Sequence, residues 1–344
     1  MNNNYLTKTL LLLGIVIGCL LLLSLLPDIE IKEGTYLTKP DLFSDLKEKT
    51  HSSDEGSEGN ATDSMGSTAQ SKKPVPKGII PIEDYSAAAP RQMMEKFYAR
   101  LDSVKSAPLR EKTGEPRPVR IAYYGDSFIC CDVLTSHLRE MLQDDFGGCG
   151  IGAFDVAMPD NKSTMIMKTN SLDYHVATKR QGFKPEQQGL TSAYSIAGDD
   201  AWIKVSGTST YNAHVGKWNV SRIYFRPSKP TTINCSINEG TPKTAYSGMS
   251  KALQKAEVKG DIKHLTWEIK GKGSTFYIAA NEDTTGVSVD NFGLVAAQGK
   301  QLKSIPQTTL NEFARLRAYD LIIFQYGLNV ASPKEDSSYP RFRK

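Results

Sequence analysis

The chain of 344 residues carries 42 Lys and Arg against 38 Asp and Glu, which gives a formal net charge of +4. This length leaves room for two domains with extensions. The positive charge is small and no basic patch is interleaved with aromatic residues, which argues against nucleic acid as a partner. The five cysteines show no metal-ligand spacing, so we expect no metal site.

An apolar segment near the N-terminus predicts membrane insertion. Leu10 to Leu26 is uncharged, follows Lys8, and approaches the roughly 20 residues that span a bilayer. We expect residues 1–27 to be an uncleaved signal anchor, with the bulk of the chain in the periplasm or the cell exterior. A lipoprotein cleavage box that ends at Cys19 is the alternative, although apolar residues continue after that cysteine.

The segment after the anchor has the composition of a tether. Residues 28–80 are predicted to be a disordered linker, because 44–80 is rich in Ser, Glu, Asp, Lys and Gly and has almost no aliphatic residue before Ile79. A linker of this length would hold a folded domain away from the membrane surface.

A candidate nucleophile follows the first strong strand signal. Residues 119–128 read Val-Arg-Ile-Ala-Tyr-Tyr-Gly-Asp-Ser-Phe, and this β-rich run breaks at Gly125 before a helical stretch. Ligands of doubly wound sheets bind at the carboxyl ends of parallel strands, and a helix N-terminus beside the Ser127 hydroxyl would favour an oxyanion. A plain strand-to-helix connection, with Asp126 or Ser127 as the N-cap, explains the same residues.

Residues 171–284 differ from their surroundings, because apolar residues alternate with polar ones between turn residues. Ile203 and Val205 show this period, as do Leu265 and Trp267, and the pattern predicts an antiparallel β-sandwich. Trp202 and Trp218 could form a sugar-stacking platform, with core packing as the other role for these aromatic residues.

Two later segments repeat the strand-to-turn pattern. Residues 287–299 run from a strand-like stretch into a turn of small residues, and 319–329 give a continuous apolar run that ends in Gly-Leu-Asn. Such a run is expected of a parallel strand buried on both faces. We expect the strand at about 320–326 to be left as an apolar edge of the sheet.

The three blocks, in this order, resemble the SGNH (GDSL-type) esterases and acylhydrolases. The resemblance implies a three-layer, doubly wound α/β hydrolase domain of flavodoxin-like type, built from residues 81–170 and 285–344. In its position, the segment 171–284 resembles the carbohydrate-binding-like β domain inserted in bacterial peptidoglycan O-acetylesterases.

The family pattern also implies roles for matching residues. Ser127 would be the nucleophile, and its backbone N–H would be one oxyanion donor beside Asp126, which we expect near the substrate. The side-chain amide of Asn329, after Gly327, would be a second donor. Ala296 stands where the family has a glycine that donates through its backbone; Gly293 would take this role if the alignment shifts by three residues.

The chain departs from the family at its end. The family places an Asp-x-x-His there to supply the general base, but no histidine follows Asn329. Asp261 and His264 have this spacing within the predicted insertion, where a surface role is the better interpretation. We therefore expect the hydrolase domain to be incomplete at the C-terminus, either as part of a longer esterase or as a chain that has lost catalysis.

Together these features predict a serine esterase that removes O-acetyl groups from peptidoglycan or another envelope glycan and needs no cofactor. Two alternatives stay open. One is a catalytically inactive, membrane-tethered glycan-binding protein; the other is an O-acetyltransferase, because the same serine chemistry can acylate a sugar hydroxyl when water is excluded.

Overall fold

The computed structural model describes residues 29–32, 35–37, 92–112, 114–156, 166–179 and 181–330. The chain divides into two compact units, residues 1–80 and 81–344. The predicted anchor and most of the predicted linker lie outside the described residues. No helix in the described ranges is long and apolar enough to cross a membrane.

The first unit contains a short antiparallel hairpin, β1 (Ile29–Lys32) and β2 (Thr35–Leu37), in which Ile29 lies opposite Leu37. These strands depart from the disorder predicted for residues 28–80. Apolar and charged residues alternate in the first strand, and Thr and Tyr in the second favour extended backbone, so local pairing prevails over the polar composition of the segment as a whole.

The second unit carries the helices and the remaining strands. The helices are α1 (Gln92–Val104), α2 (Ser127–Cys130), α3 (Val133–Phe146) and α4 (Gln307–Leu316). The strands are β3 (Leu109–Arg110), β4 (Pro116–Arg117), β5 (Val119–Gly125), β6 (Gly152–Asp155), β7 (Ile166–Asn170), β8 (Asp173–Val176), β9 (Ala193–Ile196), β10 (Ala201–Gly207), β11 (Trp218–Arg226), β12 (Thr231–Ile237), β13 (Lys243–Gly248), β14 (Gln254–Ile262), β15 (His264–Lys270), β16 (Thr275–Glu282), β17 (Val287–Gly293) and β18 (Leu321–Gln325).

A three-stranded parallel sheet of order β17-β5-β18 forms the α/β part of this unit. One face packs on α1 and α3, where Phe97 and Leu138 contact Val289 and its neighbours. The other face packs on α4 and on an antiparallel sheet, with Tyr124 in the same core as Phe313. The described residues therefore form an α/β unit, but they do not complete the three-layer, doubly wound arrangement expected from the sequence.

The strand β18 is the outer strand of the parallel sheet among the described residues. Ile322 is 50% and Phe324 62% exposed on it. This agrees with the apolar edge expected at residues 320–326, because a strand with an apolar sequence and no further neighbour leaves its side chains in water.

The antiparallel part consists of two sheets, β13-β12-β15-β10-β7 and β14-β11-β16-β9-β8, with β6 also paired to β16. Apolar residues of both sheets share one core, which defines a β-sandwich. The sandwich includes β6 and β7, so it begins before residue 171, where the boundary was predicted. The four residues Gly-Ala-Phe-Asp of β6 lack the period of two that indicates such a strand.

A buried charge network joins the parallel sheet to the sandwich. Glu282, at the end of β16, accepts hydrogen bonds from Arg120 of β5, Arg222 of β11 and Arg317 after α4. Burial alone would raise the pKa of Glu282, but the three guanidinium groups outweigh it and hold that pKa well below its usual value. Arg317 also donates to Asp290 of β17 at 2.9 and 2.8 Å.

Candidate active site

Ser127 opens α2 directly after the end of β5. The carboxylate of Asp126 accepts the backbone N–H of Phe128 at 3.1 Å and thereby caps this helix. Asp126 is 3% exposed, so the structure gives it the capping role and does not support the predicted substrate contact. Ser127 is half-buried, and its hydroxyl forms no hydrogen bond within the described part of the chain, which leaves it available to a ligand.

Two glycines allow α2 to lie close to the strand ends. A Cβ on Gly125 would stand 2.3 Å from Cγ1 of Ile129, and a Cβ on Gly293 would stand 2.2 Å from the backbone nitrogen of Cys130. Because backbone atoms of α2 are in the way, a side chain at Gly293 would push the helix off the sheet. The N–H of Gly293 donates to Oδ1 of Asn291 at 2.9 Å, so it is not free to bind an oxyanion.

The second sequence block forms a turn beside the end of β5. Leu294 N–H donates to the carbonyl of Gly125 at 3.0 Å, and Ala297 N–H donates to the carbonyl of Leu294 at 3.1 Å. Ala296 has a φ of 60°, a left-handed conformation that the third position of a type II turn requires. Ala296 is exposed, and no backbone hydrogen bond among the described residues uses its N–H. The alanine therefore adopts the conformation that glycine would adopt more readily.

The third sequence block is hydrogen-bonded to the second. Asn329 donates through Nδ2 to the carbonyl of Ala297 at 3.0 Å, and Gln298 donates through Nε2 to the carbonyl of Asn329, also at 3.0 Å. Gly327 is exposed with a φ of 145°, and its carbonyl accepts Val330 N–H at 2.9 Å. One of the two amide hydrogens of Asn329 is thus engaged, and no hydrogen bond among the described residues uses the other.

Tyr326 lies close to the capping carboxylate. Its ring packs beside Gly299, where a Cβ would be 3.2 Å away. Burial, reinforced by the negative charge of Asp126, raises the pKa of Tyr326 to about 12. The phenol is therefore neutral at physiological pH and does not act there as a base.

A polar cluster inside the sheet holds the Ser127 region in place. Asn291 of β17 donates to the carbonyl of Ile129 at 2.6 Å, which ties α2 to the sheet. Arg139 of α3 donates to both carboxylate oxygens of Asp132, at 3.1 and 3.0 Å, and to the carbonyl of Val289. This cluster was not predicted from the sequence, although the polar Asn291 within the strand-like run 287–293 was a signal for it.

No described histidine forms a hydrogen bond with Ser127. His175 on β8 pairs through Nε2 with Oδ2 of Asp173 at 3.0 Å, and His214 pairs with Asp144 at 2.6 Å. His264 is exposed, in agreement with a surface role. The pair on β8 was missed, although the period of two in a strand places residues 173 and 175 on one face.

The two tryptophans proposed for sugar stacking lie in different environments. Trp202 is half-buried on β10, and Nζ of Lys204 is 5.2 Å from its ring centroid. Trp218 is 0% exposed in the sandwich core and donates through Nε1 to Oγ of Ser221. The prediction of Trp218 as a binding residue is therefore wrong, because its side chain presents no face to a ligand.

Comparisons with known proteins show a likeness in fold. No protein-family model matches the sequence, and no curated protein matches it. The structure is similar to that of a peptidoglycan O-acetylesterase, with a TM-score of 0.55 and 20% identity over 70% of this chain. The chain spans 63% of the length of that esterase.

Carbohydrate-binding modules are matched over shorter stretches. A family 32 module from Clostridium perfringens in complex with galactose has a TM-score of 0.22 and 8% identity over 37% of this chain and 98% of its own. A family 29 module from Piromyces equi has a TM-score of 0.22 and 12% identity over 36% of this chain and 83% of its own. Scores this low carry no argument about the sandwich.

Proposed function

We propose that this chain is an esterase of the SGNH type that removes O-acetyl groups from peptidoglycan or another envelope glycan. The observation that carries the proposal is the meeting of the three sequence blocks at the carboxyl edge of the parallel sheet. The carbonyl of Gly125 accepts a hydrogen bond from the turn that bears Ala296, and the same turn accepts a hydrogen bond from Asn329. The likeness in fold to a peptidoglycan O-acetylesterase supports the same choice.

The proposed reaction is an acyl transfer through Ser127. Its Oγ attacks the acetyl carbonyl carbon while a base takes the hydroxyl proton, and the sugar oxygen leaves with a proton. The backbone N–H groups of Ser127 and Ala296 and the remaining amide hydrogen of Asn329 stabilise the tetrahedral oxyanion. Water then attacks the acetyl-enzyme and releases acetate. No cofactor takes part in these steps.

The base is the part of the mechanism that the described residues do not supply. None of the described histidines bonds to Ser127, so the proposal requires a base from outside the described part of the chain. A three-layer, doubly wound hydrolase domain, in which a general base lies within hydrogen-bond reach of the Ser127 hydroxyl, is the arrangement proposed here for the active enzyme.

We also propose that the protein works at the cell envelope. The support is the apolar run from Leu10 to Leu26 and the polar composition of residues 44–80 in the sequence. An anchor followed by a long tether would let the folded unit reach a polymer outside the membrane.

Acetate release tests this function. The complete chain, purified in mild detergent, is incubated with O-acetylated peptidoglycan, and acetate is measured for the wild type and for Ser127→Ala. We expect the substitution to abolish release, while Ser103→Ala, on the exposed face of α1, leaves it unchanged. Equal rates for wild type and Ser127→Ala would refute the proposed nucleophile.

A non-catalytic glycan-binding protein is the second candidate. It is favoured by the Ser127 hydroxyl, which has no hydrogen-bond partner among the described residues, and by the engagement of Asn329 with a backbone carbonyl. It predicts saturable binding to the glycan without acetate release. An acetyltransferase would instead be recognised by acetyl transfer that depends on an added sugar acceptor.

A further inference from the structure

Two adjacent cysteines lie at the end of α2, close in sequence to the candidate nucleophile. Cys130 is the last residue of this helix and is 5% exposed, whereas Cys131 directly follows the helix and is exposed. Their Sγ atoms are 3.5 Å apart. The thiol of Cys130 also donates to the carbonyl of Ser127 at 3.4 Å. A change in these thiols therefore acts on the same short helix that carries the Ser127 hydroxyl.

The two thiols lie close enough to bond, but a bond between them changes the backbone. The sulfur atoms of a disulfide are about 2.0 Å apart, so the Sγ atoms of this pair need to approach by roughly 1.5 Å. Neighbouring Cα atoms are about 3.8 Å apart across a trans peptide, below the roughly 4.4–6.8 Å that most disulfides span. The small ring formed by adjacent cysteines is therefore strained, and strained or exposed disulfides are the ones that are reduced most readily.

The surroundings confine this change to α2. The backbone of Cys130 lies so close to the sheet that a Cβ on Gly293 would stand 2.2 Å from its nitrogen and 2.6 Å from its Cα. The residue after the pair, Asp132, is buried, and both of its carboxylate oxygens accept hydrogen bonds from Arg139. Because the sheet and Asp132 are both held in place, closing the disulfide shifts the segment 127–131.

The position of α2 depends on contacts that such a shift disturbs. The backbone N–H of Cys130 donates to the carbonyl of Asp126 at 3.1 Å, and Asn291 of β17 donates to the carbonyl of Ile129 at 2.6 Å. Disulfide formation also consumes the thiol hydrogen that bonds to the carbonyl of Ser127. Loss of these contacts moves the Ser127 side chain relative to the strand ends.

We propose that Cys130 and Cys131 form a reversible disulfide that stops the reaction at Ser127. The oxidant is an external disulfide: the thiolate of the exposed Cys131 attacks one of its sulfur atoms and releases one thiolate, and the thiolate of Cys130 then attacks Sγ of Cys131 and releases the second. The two cysteines lose two protons and two electrons, and the external disulfide takes up both to become two thiols. Disulfides form outside the cytoplasm, where we propose that this protein works. For its effect on acetate release, the inference rests on the proposed function.

Mass spectrometry of the complete chain tests the disulfide. The chain in mild detergent is treated with oxidised glutathione, alkylated with iodoacetamide and digested with trypsin. The tryptic peptide 121–139 contains both cysteines of the pair and no other cysteine. We expect this peptide to be unalkylated and lighter by two hydrogens after oxidation, and alkylated at both cysteines after treatment with dithiothreitol. Cys130→Ser should stop at an adduct of one glutathione on Cys131, because the second attacking thiol is missing.

Acetate release from O-acetylated peptidoglycan tests the effect on the reaction. We expect oxidation to lower the rate of the wild type at least about tenfold, since a displacement of about 1 Å at a catalytic site can cost on the order of 100-fold. Dithiothreitol should restore the rate. Cys131→Ser should keep its basal rate and lose the response to oxidised glutathione. Cys149→Ser is the matched control, because this thiol lies outside α2 and donates to Asp283 at 3.5 Å, and it should leave the basal rate and the response unchanged.

Two further measurements separate a local change in α2 from general unfolding. The melting temperature shows whether each variant folds, and hydrogen exchange in peptide 121–139 should become faster on oxidation even if no ester is cleaved. The inference is overturned by a glutathione adduct that never closes in the wild type, or by a disulfide that links peptide 121–139 to the peptide containing Cys149. Full acetate release by the closed form would also overturn it.

The outcome is distinguishable from failure of the proposed function. If the disulfide closes and hydrogen exchange becomes faster, but neither form releases acetate, the disulfide and its effect on α2 stand and the esterase falls. If the wild type releases acetate through Ser127 equally well in both forms, the esterase stands and the inference falls.

Discussion

Glu282→Gln is predicted to weaken the joint between the parallel sheet and the β-sandwich. The substitution keeps the shape of the side chain and removes the charge that three buried guanidinium groups share. Arg120 donates to it at 2.7 and 3.2 Å and Arg317 at 2.9 Å, and Arg222 also donates to it. All three arginines are at most 1% exposed, so water cannot replace the lost charge.

The expected loss of stability depends on the ion pairs that each arginine keeps after the substitution. Arg120 keeps Glu111 at 2.6 Å, Arg222 keeps Glu257 at 2.7 Å, and Arg317 keeps Asp290 at 2.8 Å. Each guanidinium thus loses one of its carboxylates but is not left alone. Removing one partner of a buried ion pair costs about 3–5 kcal/mol when the other charge is left uncompensated. Because each arginine here keeps a carboxylate, we expect a loss at the lower end of this range, about 3 kcal/mol in the free energy of unfolding. At about 2–4 °C per kcal/mol, this lowers the melting temperature by about 6–12 °C.

Thermal and urea unfolding at pH 7 measure this loss, with Glu268→Gln as the matched control. Glu268 is exposed on β15, and its substitution is expected to change stability by less than about 0.5 kcal/mol. Raising the salt concentration should not narrow the gap between the two variants, because a buried pair is poorly screened. A loss below about 1 kcal/mol for Glu282→Gln would refute the reasoning that this network holds the two parts together.

Two further substitutions test the strand-end geometry, and a third tests a pKa. Gly293→Ala should lower the melting temperature strongly, because its Cβ would stand 2.2 Å from the backbone of α2. Ala296→Gly should preserve or slightly raise the melting temperature, because glycine relieves the strain of a φ of 60°. Equal changes in melting temperature for the two variants would contradict this geometry. Despite its partial burial, Glu257 has its pKa lowered to about 2 from 4.5 by Arg222 and Lys255. It therefore stabilises the fold above pH 4.5, and this stability is lost as pH falls towards 2. Acid unfolding of Glu257→Gln should show a shallower loss in this window; an unchanged slope would contradict the assignment.

The parallel strands could be predicted because their sequences determine them locally. Continuous apolar runs identify β5 and β18 as parallel strands, and the small residues after β17 identify a turn. These features depend on neighbours along the chain, which a sequence shows. Burial on both faces, which such a run predicts, holds for β5 but not for β18, whose side chains are half-buried or exposed.

Features that depend on tertiary packing could not be predicted. Trp218 alternates in the same way as Trp202, but the sequence does not say which face of its strand lies in the core. Gln188 is one of several glutamines in a polar loop, and only the fold reveals that its side chain is buried with no hydrogen-bond partner among the described residues. The three arginines around Glu282 come from distant segments of the chain, so no residue spacing in the sequence predicts that they meet.

The central claim is that Ser127 is the nucleophile of an acetylesterase. Mass spectrometry of the complete chain, quenched in acid during reaction with O-acetylated peptidoglycan, tests it most directly. The account predicts a peptide containing Ser127 that is heavier by one acetyl group, and no such adduct in Ser127→Ala. Acetate release by a chain that carries no adduct at Ser127, or equal release by Ser127→Ala, would contradict the account.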